Sequence, residues 1–316
     1  MNLRSLLILL AVAVMLAVLL ISQSQTPRVA STLLLPELNP DDVQELTISV
    51  AANRQIATLK KKGNDWFETS SDYPANPQAV AIALSISKAA KLEEKTGNPD
   101  LFNRIGVSDI AKPNAAGVLL RLRTNNQADK FTYAVILGDL AGNGQYVRLQ
   151  DSGQSWLINR QLELPRETIG WLDTQLINIP ATRIRKLEIH YPDGSITDFE
   201  KSDAGEMFPE GAGAKGGFLS SLNFAGVYHD KEPLLGAVTD NVTASFHTFD
   251  GLVVLCIFTD TPEGWRSRIS ATVGADTPAV LQAEADAINR RTQGFNFSLP
   301  AYKTKILLPL EDQLVK

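Results

Sequence analysis

The sequence predicts an α+β protein in which two similar antiparallel-sheet-plus-helix domains, an internal duplication, follow one N-terminal transmembrane helix. Three observations lead there: an uncharged apolar run near the N-terminus, short alternating strands separated by turn residues, and one pattern met twice, 141 positions apart. The expected parts are residues 1–22 as anchor, 23–32 as a polar stalk, 33–175 as a first α+β repeat and 176–316 as a second.

The anchor rests on residues 5–22 (SLLILLAVAVMLAVLLIS), which contain no charge, glycine or proline. Eighteen residues at about 1.5 Å each make a helix of about 27 Å, enough to span a bilayer. A cleavable signal peptide is the rival reading. Its apolar region is normally shorter, about 7–15 residues, and Val29-Ala30-Ser31 is a poor and distant cleavage site. Arg4 and the free amino group favour keeping the short N-terminal flank in the cytoplasm, so that everything after Ser22 faces outward.

The repeat begins at Leu38-Asn39-Pro40-Asp41-Asp42-Val43, a turn leading into a strand with Leu46 and Ile48. It returns at Ile179-Pro180-Ala181-Thr182-Arg183-Ile184, with Leu187 and Ile189 in the matching places. A second strand follows in each copy, at 55–61 and, after the Pro192-Asp193-Gly194 turn, at 195–201. Asn76 as N-cap and Pro77 in the first turn open a helix expected to reach Lys91; residues 216–225 hold the equivalent place with a short, glycine-weakened helix. Further strands are expected at 118–124, 131–137, 145–149 and 155–158, then at 243–248, 251–259 and 265–273. A final helix should start at Thr277-Pro278 and stop at Gln293-Gly294. Strands separated by turns, with few helices, indicate antiparallel sheets and not a doubly wound one.

Composition narrows the function. With 44% hydrophobic and 21% charged residues the chain is globular rather than disordered. Its 30 basic and 35 acidic side chains give −5, and setting aside Arg4 and Arg28 leaves −7. That balance argues against nucleic acid, or an anionic lipid surface, as the main partner. The basic run Lys60-Lys61-Lys62 reads as a solvated hairpin end. Cys256 is the sole cysteine and sits in an apolar run, which leaves no intramolecular disulfide and no thiol-rich metal site.

No catalytic, cofactor-binding or metal-ligating residue is assigned. Gly211-Ala212-Gly213-Ala214-Lys215-Gly216 fits the spacing of a dinucleotide loop, but Glu206-Met207-Phe208-Pro209-Glu210 before it is not a buried strand, so residues 211–217 read as a flexible loop. His190 and His247 fall in strands and His229-Asp230 in a loop; none of the three histidines has a second His or Cys at metal-ligand spacing. Asp41-Asp42 suit the start of a helical turn, and Glu93-Glu94 and Glu311-Asp312 solvated helix faces. Trp66, Trp156, Trp171 and Trp265 are dispersed, and each is expected in the core.

The order of segments resembles bacterial domain-of-unknown-function family 4340. The resemblance is carried by the anchor, Leu38 to Val43, Trp66 with Tyr73-Pro74-Ala75-Asn76, and Asn103-Arg104-Ile105-Gly106-Val107. Leu137-Gly138-Asp139, Tyr146-Val147-Arg148, Ile179-Pro180-Ala181 with Ile184, and Phe297-Ser298-Leu299-Pro300-Ala301-Tyr302-Lys303 before Leu310-Glu311-Asp312 complete it. It implies an anchored envelope protein, often encoded beside ABC-type transporter components similar to those of gliding-motility systems. The expected function is thus a non-enzymatic, single-pass accessory protein of the bacterial inner membrane. Its domains would lie on the periplasmic side, with an ABC-type permease or envelope complex as protein partner. A periplasmic ligand-binding or spacer module is the alternative, and an envelope hydrolase a third reading.

Overall fold

The computed structural model describes residues 32–125, 131–209, 212–230, 241–275 and 277–308. The expected anchor, and the stalk up to residue 31, lie outside the described residues. Among the described residues no helix is long and apolar enough to cross a membrane.

Numbered along the chain, the first strands are β1 (Val43–Val50), β2 (Arg54–Lys62), β3 (Asp65–Glu68), β4 (Tyr73–Pro74), β5 (Lys91–Glu94), β6 (Val118–Thr124), β7 (Tyr133–Ala141), β8 (Gly144–Leu149) and β9 (Ser155–Ile158). There follow β10 (Gln175–Ile177), β11 (Ile184–His190), β12 (Ile196–Glu200), β13 (Leu222–Asn223), β14 (Gly226–His229), β15 (Asn241–Thr248), β16 (Leu252–Thr259), β17 (Arg266–Val273) and β18 (Phe295–Ser298). Among the described residues four α-helices join them: α1 (Pro77–Leu84), α2 (Gly213–Gly216), α3 (Ala279–Thr292) and α4 (Ala301–Leu307). The paired strands run antiparallel, as expected of an α+β chain with few helices.

The chain divides into two compact units, Met1–Gln55 with Ala81–Leu164 and Ile56–Val80 with Pro165–Lys316. This division is not contiguous in sequence, unlike the expected 33–175 and 176–316. In the first unit the strand order is β1-β6-β7-β8-β9-β5. β1 is buried along nearly its whole length, and Phe102, Val107, Ile110, Leu119 and Ile136 form a cluster on the sheet.

In the second unit the order is β12-β11-β15-β16-β17-β18-β14. β15 alternates buried and half-buried side chains along all eight residues, the period of a sheet with one face on a core. That core gathers Leu187, Ile189, Phe246, Val254, Cys256 and Phe297, with the Phe218 ring stacked on Phe246 at 5.7 Å. α3 adds Ala285 and Ile288 to it and buries Leu281 beside them, a spacing of four and three that lines one helical face.

The two units use one strand order. From β1 the first reads β1-β6-β7-β8-β9-β5, and from β11 the second reads β11-β15-β16-β17-β18-β14, element for element. A shared irregularity fixes the alignment: β1 shifts register on β6 between Val43 and Glu45, and β11 shifts on β15 between Ile184 and Lys186, each pair 141 positions apart. Both strands are led in by a 3₁₀ turn, Pro40–Asp42 and Ala181–Arg183. The main difference is α3, which stands between β17 and β18 where a tight turn joins β8 to β9.

Several local expectations change. The helix at Pro77 ends as α1 and a 3₁₀ turn, Ser85–Lys88, well before Lys91, because Ser85 and Ser87 hydroxyls donate back to the Ile82 and Leu84 carbonyls. Glu93 and Glu94 are consequently not on a helix face: they lie in β5, paired with Leu157 and Trp156 of β9. His229 is in β14, paired with Phe295, and not in a loop. Thr277 does not cap α3, whose N-cap is Pro278. Of the four tryptophans only Trp171 is fully buried; Lys91 covers the half-buried Trp156 ring at 4.4 Å.

Candidate functional site

The residues singled out by sequence do not converge. His190 Nε2 donates to the Glu188 carboxylate at 2.6 Å on the exposed end of β11. Burial, and then Lys186, hold the His247 imidazole below its ordinary pKa. Asp230 pairs with Arg268 at 2.8 Å. Cys256 is fully buried, which pushes its thiol up to about 12. No group of three or more His, Cys, Asp or Glu that could hold a metal forms among the described residues. Gly211 and Glu311-Asp312 lie outside them. Gly213–Gly216 is a single helical turn, and a Cβ on Gly216 would lie 2.2 Å from the Phe208 ring, so this stretch is folded onto an aromatic side chain.

The family-like segments instead make the framework. Gly106 has φ +70°, and a Cβ there would stand 2.7 Å from Asp139 Oδ1. A Cβ on Gly138 would lie 2.3 Å from the Ile105 carbonyl oxygen. The Arg148 guanidinium donates to the carbonyls of Val107 (2.9 Å), Gln150 (2.9 Å) and Ser152 (3.0 Å) and rests on the Phe102 ring. Three segments distant in sequence thus form one junction of the first unit. Tyr73 plays a comparable part in the second, its ring set edge-on to Phe224 at 5.0 Å and Phe295 at 5.1 Å. Its hydroxyl is buried without a hydrogen bond among the described residues, and burial, aided by Asp173, keeps the phenol un-ionised.

The Arg148 junction supports a concavity, among the described residues, with the character of a binding site. A pocket of about 460 Å³ opens in the first unit between residues 34–37, 132–134 and 149–152, within the range of ligand pockets. Leu34 and Leu35 are buried, and Leu34 N–H donates to the Ala89 carbonyl at 2.7 Å, which ties this wall to the end of the 3₁₀ turn before β5. Arg148 fixes the opposite wall through Gln150 and Ser152, and Arg121 reaches the Gln150 side-chain oxygen at 3.3 Å. Leu149 and the Tyr133 ring complete an apolar floor. Two exposed carboxylates stand over it, Glu37 and Asp151. Among the described residues no hydrogen bond or ion pair holds either side chain, although Asp151 lies close enough for its charge to act on Arg148. Burial, and then Glu37, push the Tyr133 phenol up. An apolar floor under two carboxylates suits an amphipathic group with a positive charge.

Sequence reasoning passed over Glu37, Tyr133 and Asp151. The available signal was loop length: the two copies match from strand to strand until residues 150–154 stand against 274–294.

Fold and pocket define an antiparallel α+β protein with one strand order used twice and an acid-rimmed pocket in the first unit. The sequence model of a bacterial family described as Domain of unknown function (DUF4340) matches residues 66–232, more than half of the chain, and the chain belongs to that family. Neither a curated protein nor a solved structure matches it.

Proposed function

We propose that this protein is a non-enzymatic accessory subunit held in the bacterial inner membrane by residues 5–22, with both units outside the cytoplasm, and that it works with an ABC-type permease. The observation that carries the reading is the closeness in sequence of the uncharged apolar run and the pocket wall 34–37. Residues 23–33 can span at most about 40 Å when fully extended. A pocket so tethered stays near the membrane surface, where the outer loops of a permease are. The partner class comes from the family resemblance.

We also propose that the units arose by duplication, supported by the common strand order and the common register shift. Purification of the full chain in mild detergent tests the functional reading. An ABC-type permease should co-purify in fixed ratio; consistent recovery of the protein alone would sink it.

A further inference from the structure

Superposing the two strand orders assigns a partner to every wall of the pocket. Leu46 pairs with Leu122 and Leu122 with Tyr133 in the first unit, while Leu187 pairs with Phe246 and Phe246 with Val254 in the second. Tyr133 therefore corresponds to Val254. The Gln150 N–H donates to the Ala134 carbonyl, which continues the β7–β8 register and sets Asp151 opposite Tyr133. Val254 pairs with Ala271, so Asp151 corresponds to Ala271. At the other wall, the 141-position offset matches residues 34–37 with 175–178, the strand β10 and Asn178.

In the second unit those matching positions are covered by α3. Asn289 bonds both backbone groups of Ala271, accepting from its N–H at 2.9 Å and donating to its carbonyl at 2.8 Å. Arg291 donates to the carbonyl of Gln175, the counterpart of Leu34. Leu281, Ala285 and Ile288 of the same helix are buried, and Ala285 and Ile288 share the core cluster with Val254, the counterpart of Tyr133. What is an open pocket in one unit is a helix seat in the other.

We infer that the first unit's pocket is the docking site for an amphipathic α-helix of a partner protein, with a Lys or Arg of that helix meeting Glu37 and Asp151. The helix form follows from α3, and the basic residue from the charge of the rim. α3 itself carries Arg290 and Arg291 in its last turn, and Arg291 pairs with Asp173 at 3.4 Å. The chain's own residues 309–316 hold two acids against one lysine, the wrong charge for that rim. This inference rests on the accessory-subunit reading and names the chemistry of its contact.

The test replaces Tyr133 with a photo-reactive benzoylphenylalanine in the full-length protein in its native membranes, with the same substitution at exposed Ser270 as control, and sequences the cross-linked peptides. The expected result is one partner segment with apolar residues at helical spacing and a Lys or Arg among them. Its yield should fall at least about tenfold in a Glu37→Lys, Asp151→Lys double variant that still melts like the parent, since like charges at a contact cost several-fold in affinity each. Cross-links that are absent, scattered or unchanged by the double variant, while a permease still co-purifies, would overturn the inference and leave the accessory reading standing. Loss of both would fell both. Thermal stabilisation by an alkylammonium ion with no peptide cross-link would give the pocket to a small amine and also overturn the helix.

Discussion

Arg183 grips Glu284 with both ends of its guanidinium, Nη1 to Oε1 and Nη2 to Oε2, each at 2.7 Å, while its Nε donates to Asp250 at 2.9 Å. One side chain thus ties the turn before β11, the β15–β16 turn and α3 together. The three groups are partly exposed, so solvent weakens each pair, but a two-pronged fork loses little side-chain freedom per bond. Arg183→Lys should cost on the order of 1 kcal/mol, read as a lower urea midpoint. An unchanged midpoint would show that α3 is held without Arg183, by its apolar face and the bonds of Asn289 and Arg291.

The glycine junction of the first unit predicts a larger loss. Gly138→Ala forces a Cβ to within 2.3 Å of a backbone oxygen, and relief requires moving β7 or the 105–107 loop. Overpacking of that kind costs about 1–3 kcal/mol. Arg148→Met should cost a similar amount by leaving carbonyls of Val107, Gln150 and Ser152 without their donor. Thermal melts of both variants check this; melting points equal to the parent's would contradict it.

Lys303 is buried, with its Nζ donating to the carbonyls of Phe218 and Ser220, each at 2.8 Å. It fastens α4 to the stretch that follows the glycine-rich loop. Burial lowers its pKa, and the two carbonyls that accept from it favour the charged form against that desolvation. Lys303→Met keeps the stem but strands two carbonyls, for a loss of about 1–3 kcal/mol. Faster proteolysis near residues 213–220 in the variant would mark the site of loosening, and an unchanged cleavage pattern would contradict the role.

Cys256 gives a pH dependence. Its thiol is raised from 9.0 to about 12 in the folded chain. A raised folded value means that its contribution is whole below pH 9 and is lost as pH climbs toward 12, because the unfolded thiol ionises first. Wild type should lose stability faster than Cys256→Ala above pH 9, by up to about 1.4 kcal/mol per pH unit. Parallel curves would contradict burial as the cause. Alkylation at neutral pH should require unfolding.

Much of the fold was legible because its signals are local. Val118–Thr124 and Ser155–Ile158 were readable to the residue from alternation and turn chemistry, and Asn76 accepts from Gln78 and Ala79 N–H as an N-cap should. β5, β14 and β18 were not foreseen as strands. Each is a four-residue strand that forms because a distant partner offers a free edge. The pocket was hidden for a related reason: Glu37, Tyr133 and Asp151 are unremarkable alone and meet only through strand pairing. The family-like segments were visible, but their work as packing joints, Gly138 on Ile105 and Arg148 on Val107, needed coordinates.

The central claim is that residues 5–22 anchor a chain whose units lie outside the cytoplasm, and topology tests it most directly. Alkaline phosphatase, which is active only outside the cytoplasm, is fused after Lys316, and the fusion's activity and membrane retention in alkaline carbonate are measured together. Leu, Ile, Val and Met fill 13 of the 18 positions, each favouring the membrane by up to about 0.6 kcal/mol near the centre. The account predicts an active fusion that stays in the carbonate-resistant membrane fraction with Met1 still at its start. An inactive fusion, or one released from the membrane with a new N-terminus near Ser31, would contradict it.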